Sequence, residues 1–225
     1  GATGTNPYQI SSMTQTSSLS VSPNPRAIRF NSDGTKMFYL GSNTIYEYAL
    51  SSAYTLSSAS ATASYDVSGT VAGPVHFDFK SDGTKLFVLG YNNKTVYQFS
   101  LSTAFSVASG VSYDSVSFSV NSQETDPYGI RFKSDGSRMY IVGTSGDDIN
   151  EYALSSAWVV SSASFTAAFS VASQDNTPYG VEFNSDGSKM WVIGSQNDSI
   201  YQYSLSTAFT VSSASYDSVR FSTAS

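Results

Sequence analysis

The sequence predicts an all-β fold assembled from four copies of one four-stranded unit. Three observations lead there. First, the stretch FNSDGTKMFYL from Phe30 returns as FKSDGTKLFVL from Phe79, FKSDGSRMYIV from Phe132 and FNSDGSKMWVI from Phe183. Second, the marker aspartates Asp33, Asp82, Asp135 and Asp186 are separated by 49, 53 and 51 residues. Third, apolar residues alternate with strand periodicity in every copy, and no segment has the period of a helix. Repeats of this length holding four antiparallel strands and a tight hairpin fit the blades of a β-propeller. A β-solenoid is the competing reading, but its coils are shorter and need no hairpin in each.

The first strand of each copy follows Pro25, Pro74, Pro127 or Pro178 and places two bulky apolar residues two positions apart: Ile28/Phe30, Phe77/Phe79, Ile130/Phe132 and Val181/Phe183. Asp-Gly then supplies a residue tolerant of positive φ, which a tight hairpin requires. The second strand begins at Lys36, Lys85, Arg138 or Lys189 and ends at Gly41, Gly90, Gly143 or Gly194. After a variable polar loop comes a third strand: Ile45–Leu50, Val96–Leu101, Ile149–Leu154 and Ile200–Leu205.

Next comes a turn of fixed wording, LSSAYTLSSAS from Leu50 and its counterparts. Its aromatic and aliphatic pair (Tyr54/Leu56, Phe105/Val107, Trp158/Val160, Phe209/Val211) is expected to pin the turn onto its own blade. Fourth-strand patterns occur five times, at Met13–Val21, Tyr65–Val71, Tyr113–Val120, Phe165–Val171 and Tyr216–Phe221. One is surplus. It would add a fifth strand, pair with another chain, or mark a cut in a longer array.

These elements predict one propeller domain over residues 1–225, with repeats near 25–73, 74–126, 127–177 and 178–225 and an N-terminal segment 1–24. Four blades leave wide wedges, which Phe30, Phe79, Phe132 and Phe183, with Phe38, Phe87, Tyr140 and Trp191, are bulky enough to fill. The alternative is half of an eight-bladed ring formed by two chains.

The repeat F-x-S-D-G-x-K-M-Y-V-x-G, followed by a polar loop and an Ile-Tyr-Glu-Tyr strand, resembles that of YVTN and lactonase-like propellers. The turn wording and the Ser-Phe-Ser-Val strand also resemble repeats of bacterial secreted and phage structural proteins. The likeness covers nearly the whole chain and implies the fold more than the activity, because function lives in sites grafted on a fold. The Asp-Gly turn resembles the Asp-box of sialidases as well, but Ser, Asp and Gly are adjacent here, so no glycosidase residue carries over.

Composition narrows the function classes. Seventeen acids against eleven Lys and Arg, with no basic cluster, argue against a nucleic-acid partner. The absence of cysteine excludes disulfides and thiolate metal sites. No run is long enough for a membrane-spanning helix.

Four candidate sites stand out. Arg29, Asp78, Arg131 and Glu182 share one position of the first strand with alternating sign, so they are expected to pair around the central channel. The functional alternative there is a channel-bound ion or small polar ligand; no cofactor motif is present. The entry loops Asn121–Tyr128 and Ala172–Tyr179 offer Gln123, Glu124, Asp126, Tyr128, Gln174, Asp175 and Tyr179 beside the channel mouth. A tyrosine ring among amides and carboxylates suits a sugar.

The polar pairs Asp147-Asp148 and Asn197-Asp198 read as turn residues, not a metal site, since calcium needs more converging oxygens. Asp66, Asp114 and Asp217 read as charges protecting an outer strand. The lone histidine, His76, has no sequence-visible nucleophile–base partner.

The leading expectation is therefore a non-catalytic binding or structural module, extracellular or on a virion. It would recognise a glycan or surface protein through one propeller face. The alternative is a lactonase- or hydrolase-type enzyme acting at the channel mouth. Self-association through the surplus strand is a further expectation.

Overall fold

The structure, a computed structural model, describes residues 16–21 and 23–223. It is a four-bladed β-propeller of four antiparallel sheets, each with strands in sequence order. Blade 1 holds β1 (Pro25–Phe30), β2 (Lys36–Gly41), β3 (Thr44–Leu50) and β4 (Ala59–Asp66). Blade 2 holds β5 (Pro74–Phe79), β6 (Lys85–Gly90), β7 (Thr95–Leu101) and β8 (Val111–Ser119). Blade 3 holds β9 (Pro127–Phe132), β10 (Arg138–Gly143), β11 (Asp148–Leu154) and β12 (Ala163–Ser170). Blade 4 holds β13 (Pro178–Phe183), β14 (Lys189–Gly194), β15 (Ser199–Leu205) and β16 (Ala214–Ser222). Among the described residues the only helices are single 3₁₀ turns, at Leu56–Ser58, Val160–Ser162 and Val211–Ser213.

The repeated wording has a local physical cause. In each hairpin the aspartate carboxylate accepts the backbone N–H two residues on, as Asp135 does from Ser137 at 2.9 Å. The glycine that follows takes a positive φ, 73° at Gly136. The aromatic of the later turn then covers that glycine. Trp158 donates its backbone N–H to the Gly136 carbonyl at 3.1 Å, and a Cβ on Gly136 would lie within the indole. Tyr54, Phe105 and Phe209 do the same over Gly34, Gly83 and Gly187. The aromatic of the pair thus pins the turn to its own blade, as the sequence predicts, whereas the aliphatic member (Val107, Val160, Val211) is held by the preceding blade.

The fourth strands depart from expectation at their boundaries. In blade 1 the strand is Ala59–Asp66, and the chain turns at Val67–Val71. In blades 2 and 4 a serine at φ 57° (Ser115, Ser218) bulges the outer strand, and this turns the preceding aspartate inward. Asp114 therefore accepts from Lys85, Gln98 and Ser100, and Asp217 from Lys189, Gln202 and Ser204. They are ion-pair anchors between strands, not outward edge charges. Of the surplus pattern Met13–Val21, residues 13–15 lie outside the described residues, and 16–21 form no strand. It is β16 that completes blade 4.

Among the described residues the core lies between blades, in three layers. Phe38 and Leu40 of blade 1 pack with Phe77 and Phe79 of blade 2. Phe87 and Leu89 meet Ile130 and Phe132 of blade 3. Tyr140 and Val142 meet Val181 of blade 4, with Phe183 against them. The paired rings sit 4.7, 4.4 and 4.5 Å apart between centroids (Phe38–Phe79, Phe87–Phe132, Tyr140–Phe183). Three of the four aromatic wedges expected from the repeat are thus filled, and close ring pairs add to the burial of their area; Phe30 departs from the expectation and packs on Tyr54 of its own blade, 5.5 Å between centroids.

Each interface is also latched by a buried side chain of the third strand. Glu47 Oε2 accepts the backbone N–H of Val107 at 2.8 Å, Gln98 Oε1 that of Val160 at 3.2 Å, and Glu151 Oε2 that of Val211 at 2.8 Å. Each latch satisfies an N–H that would otherwise be buried without a partner.

Candidate functional site at the central channel

The first strands β1, β5, β9 and β13 form the inner wall, and this brings the four alternating charges together. Asp78 is at the centre. Its Oδ1 accepts from Arg29 Nε at 3.0 Å and from a terminal nitrogen of Arg131 at 2.9 Å, and its Oδ2 accepts the Phe132 N–H at 2.9 Å. Arg131 Nε donates to Glu182 Oε1 at 2.8 Å. Burial alone would raise the Asp78 carboxyl, but the guanidiniums of Arg131 and Arg29 hold it below the ordinary carboxylate range.

Three pairs of the ring are made. The fourth, Glu182 with Arg29, is not among the ion pairs of the described residues. Arg29 instead donates to the Ile28 and Ile130 carbonyls. Glu182 is left 47% exposed at its side chain, where Asp78 is 2% exposed.

His76 lies on the same wall. Its Nδ1 is 3.1 Å from the Phe77 carbonyl oxygen, an arrangement that places a proton on Nδ1 and leaves Nε2 as an acceptor. Burial first, and the Arg29 charge second, push its pKa down to about 3, so the imidazole is neutral. A cleft of about 520 Å³ opens here between blades 1 and 4. Its inner end carries Arg26, Arg29, His76, Tyr179 and Glu182, and its outer end carries Trp191, Ile193 and Ile200. That volume is in the range of small-molecule sites. Arg26 also rims the channel mouth, beside Tyr128 and Tyr179, whose rings meet edge-on at 4.7 Å.

The entry-loop residues divide. Tyr128 and Tyr179 do reach the mouth, and Gln123 is exposed. Glu124 and Asp175, expected to face a ligand, are fully buried. Glu124 Oε1 accepts from the N–H groups of Asp126 and Ser145 and from the Ser145 hydroxyl; Asp175 accepts from the N–H groups of Thr177, Gln196 and Asn197. They tie the entry loop to the loop after the second strand. Gln174 accepts from the Tyr203 hydroxyl at 3.3 Å, and Asp126 from the Tyr91 hydroxyl at 2.8 Å, so both serve packing as well.

Asp147 and Asp198 occupy left-handed turn positions at φ 49° and 43°. Asp148 is half-buried, and burial together with the Glu124 charge pushes its carboxyl up to about 6. Among the described residues no group of three His, Cys, Asp or Glu side chains is placed to hold a metal.

Sequence reasoning missed the latches and the role of Arg26. The latch position reads Glu47, Gln98, Glu151 and Gln202, one long acceptor at the same place in each third strand. That repetition was the available signal.

Residues 9–211 match the family model described as "Lactonase, 7-bladed beta-propeller". This chain is a member of that lactonase propeller family. The fold of this lactonase-family chain is also found in solved structures of low identity. A putative 6-phosphogluconolactonase from Bacteroides uniformis superposes with a TM-score of 0.58 at 12% identity, over 88% of this chain and 55% of that one. The periplasmic gluconolactonase of Pseudomonas aeruginosa gives 0.52 at 14% identity, over 85% and 52%. A functionally unknown protein from Desulfotomaculum acetoxidans gives 0.56 at 12% identity, over 91% and 72%. The chain thus spans about half the length of the two lactonases. No curated protein matches it.

The family match overturns the expectation of a non-catalytic glycan- or protein-binding module. Repeat chemistry encodes the blade, and neither low charge nor serine-rich strands say whether the channel is reactive. The family match and the lactonases among the similar structures favour the alternative, a lactonase- or hydrolase-type enzyme, over that expectation.

Proposed function

We propose that this chain supplies a lactone-hydrolysing site at the inner end of the cleft, acting on a small sugar lactone. The observation that carries the proposal is Glu182. One oxygen is fixed by Arg131 Nε and by the Phe183 N–H, while Oε2 has no hydrogen-bond partner among the described residues, and the half-exposed side chain lines the cleft.

Ring opening needs three things: a base for water, a positive group at the carbonyl oxygen, and a proton for the departing ring oxygen. Glu182 Oε2 is the base. Water deprotonated there attacks the carbonyl carbon, and the negative charge grows on the carbonyl oxygen. Arg26, exposed at the mouth with no ion pair among the described residues, is the cation placed to meet that charge. The ring C–O bond then breaks, and the protonated Glu182 returns its proton to the leaving alkoxide. His76, neutral and a weak base, serves as an acceptor for a substrate hydroxyl through Nε2. Tyr179 offers a ring face to the apolar side of the sugar.

The test is proton release from glucono-1,5-lactone in a pH-stat, measured against the spontaneous rate. Acceleration by the wild-type chain, reduced at least about a hundredfold in Glu182→Gln as expected for removal of a general base, supports the reading. No acceleration, or equal rates for the two proteins, overturns it.

A further inference from the structure

Glu124 uses only half of its carboxylate on the loop that covers it. Oε1 takes the donors of Asp126 and Ser145, while Oε2 is buried without a hydrogen-bond partner among the described residues. The Tyr152 hydroxyl is the other buried side-chain oxygen in that condition. Buried polar atoms are nearly always paired, so two orphans in one place call for a partner of another kind.

The sheet of blade 3 puts these oxygens on one face. Asp148, Asn150 and Tyr152 alternate along β11 and so point the same way. Gly143 of β10 stands directly opposite Asp148. Glu124 fills the place of its missing side chain: a Cβ on Gly143 would lie 2.3 Å from Oε2. Directly opposed side chains share a face of the sheet about 5 Å apart, so Oε2 is the cross-strand neighbour of the Asp148 side chain. Asn150, itself buried, steadies that carboxylate by donating from Nδ2 to Oδ1 at 2.6 Å.

No cation of the chain answers the two acids: neither Glu124 nor Asp148 enters an ion pair among the described residues. Burial and then the charges of Glu124 and Asp148 raise the Tyr152 hydroxyl, so the three groups act on one another.

Blade 4 has the same frame with different chemistry. Asp175 covers Gly194 as Glu124 covers Gly143, but its oxygens accept the N–H groups of Thr177, Gln196 and Asn197. Ser199 stands opposite Gly194, and the Tyr203 hydroxyl donates to Gln174. Neither the acid nor the hydroxyl is left over there. The unmatched oxygens are thus particular to blade 3.

We propose that Glu124 Oε2, the Asp148 carboxylate and the Tyr152 hydroxyl hold a calcium ion between the entry loop of blade 3 and the loop joining β10 to β11. All three donors are oxygens, and calcium accepts irregular oxygen sets where magnesium demands a near-ideal octahedron. Two carboxylates match the charge of a divalent ion. Asp148 is half-buried, so the position opens to water, which supplies the remaining ligands. The adjacent pair Asp147-Asp148 contributes one ligand, and the others come from parts of the chain that the sequence keeps apart. The ion ties down the segment that pairs Asp126 with Tyr91 and carries Tyr128 to the channel mouth.

Calorimetric titration of calcium chloride into the chain freed of metal with EDTA tests this, alongside thermal unfolding with and without about 1 mM calcium. One calcium per chain should bind, and the midpoint of unfolding should rise. Glu124→Gln keeps the Oε1 cap and removes the charge, and Asp148→Ser brings in the residue that blade 4 carries at Ser199. Each should weaken calcium binding at least about tenfold. Asp66→Asn, an exposed acid of blade 1, should leave it unchanged. Circular dichroism checks the fold of each variant; should one fail to fold, the other decides. A wild-type chain that binds no calcium, one that prefers magnesium, or a folded Glu124 or Asp148 variant with wild-type affinity overturns the inference. Lactone hydrolysis is not read in this experiment, so the two proposals fail separately.

Discussion

The carboxylate of Glu151 in blade 3 accepts the backbone N–H of Val211 in blade 4 at 2.8 Å, across sixty residues of chain. It is also paired with Arg138, which in turn donates to the Phe209 carbonyl at 3.0 Å. One buried side chain thus joins two blades through both charge and backbone. Glu151→Ala should strand the Val211 N–H and the Arg138 charge, and cost about 2–4 kcal/mol of stability in urea unfolding. Glu151→Gln should cost less than about half of that, because Gln98 performs the same latch with an amide oxygen. Equal losses for the two variants would mean that the charge, not the backbone bond, holds the interface.

Arg131 bridges Asp78 and Glu182 on the channel wall. Arg131→Ala leaves the Asp78 carboxylate buried with one guanidinium in place of two, and about 3 kcal/mol of stability should be lost. Lys133→Ala, two residues along, removes a pair with the exposed Asp135 and should change stability by less than about 1 kcal/mol. Closely matching unfolding curves for the two variants would dissolve the charge ring as a stabilising element.

His76 makes the fold sensitive to acid. Its pKa is about 3 in the folded chain against 6.5 ordinarily, so the folded state holds the ring neutral while the unfolded chain takes up a proton. That stability is fully present above pH 6.5 and is lost as pH falls from there toward 3. Between pH 7 and pH 5 the loss should be about 2 kcal/mol. His76→Ala places there the residue that blade 1 carries at Ala27, and it should flatten this part of the profile. An unchanged slope in denaturant titrations at the two pH values would place the acid sensitivity elsewhere.

The fold was legible because its local chemistry is repeated: Asp-Gly demands a hairpin, and a bulky ring at Phe79, Phe132 and Phe183 demands a partner on the preceding blade. The four-charge wall was legible for the same reason, as one position read four times. What stayed hidden depends on backbone geometry that residue types do not announce. Asp114 and Asp217 turn inward only because Ser115 and Ser218 adopt positive φ. Glu124 and Asp175 look like ligand-facing acids until the loops fold over them and use their oxygens as caps. Glu182 was read as one of four equals, and only the unlike junction beside it makes its Oε2 different from the oxygens of Asp78.

The hydrophobic layers described above belong to pairs of blades, not to single ones. The segment that was duplicated is therefore offset from the segment that is cooperative by half a unit. Each sheet melts or persists with its neighbours, as in a one-dimensional array with nearest-neighbour coupling. Blades 2 and 3, held from both sides, form the stiff middle of the molecule, while among the described residues blades 1 and 4 each share a core layer on one side alone and fray first.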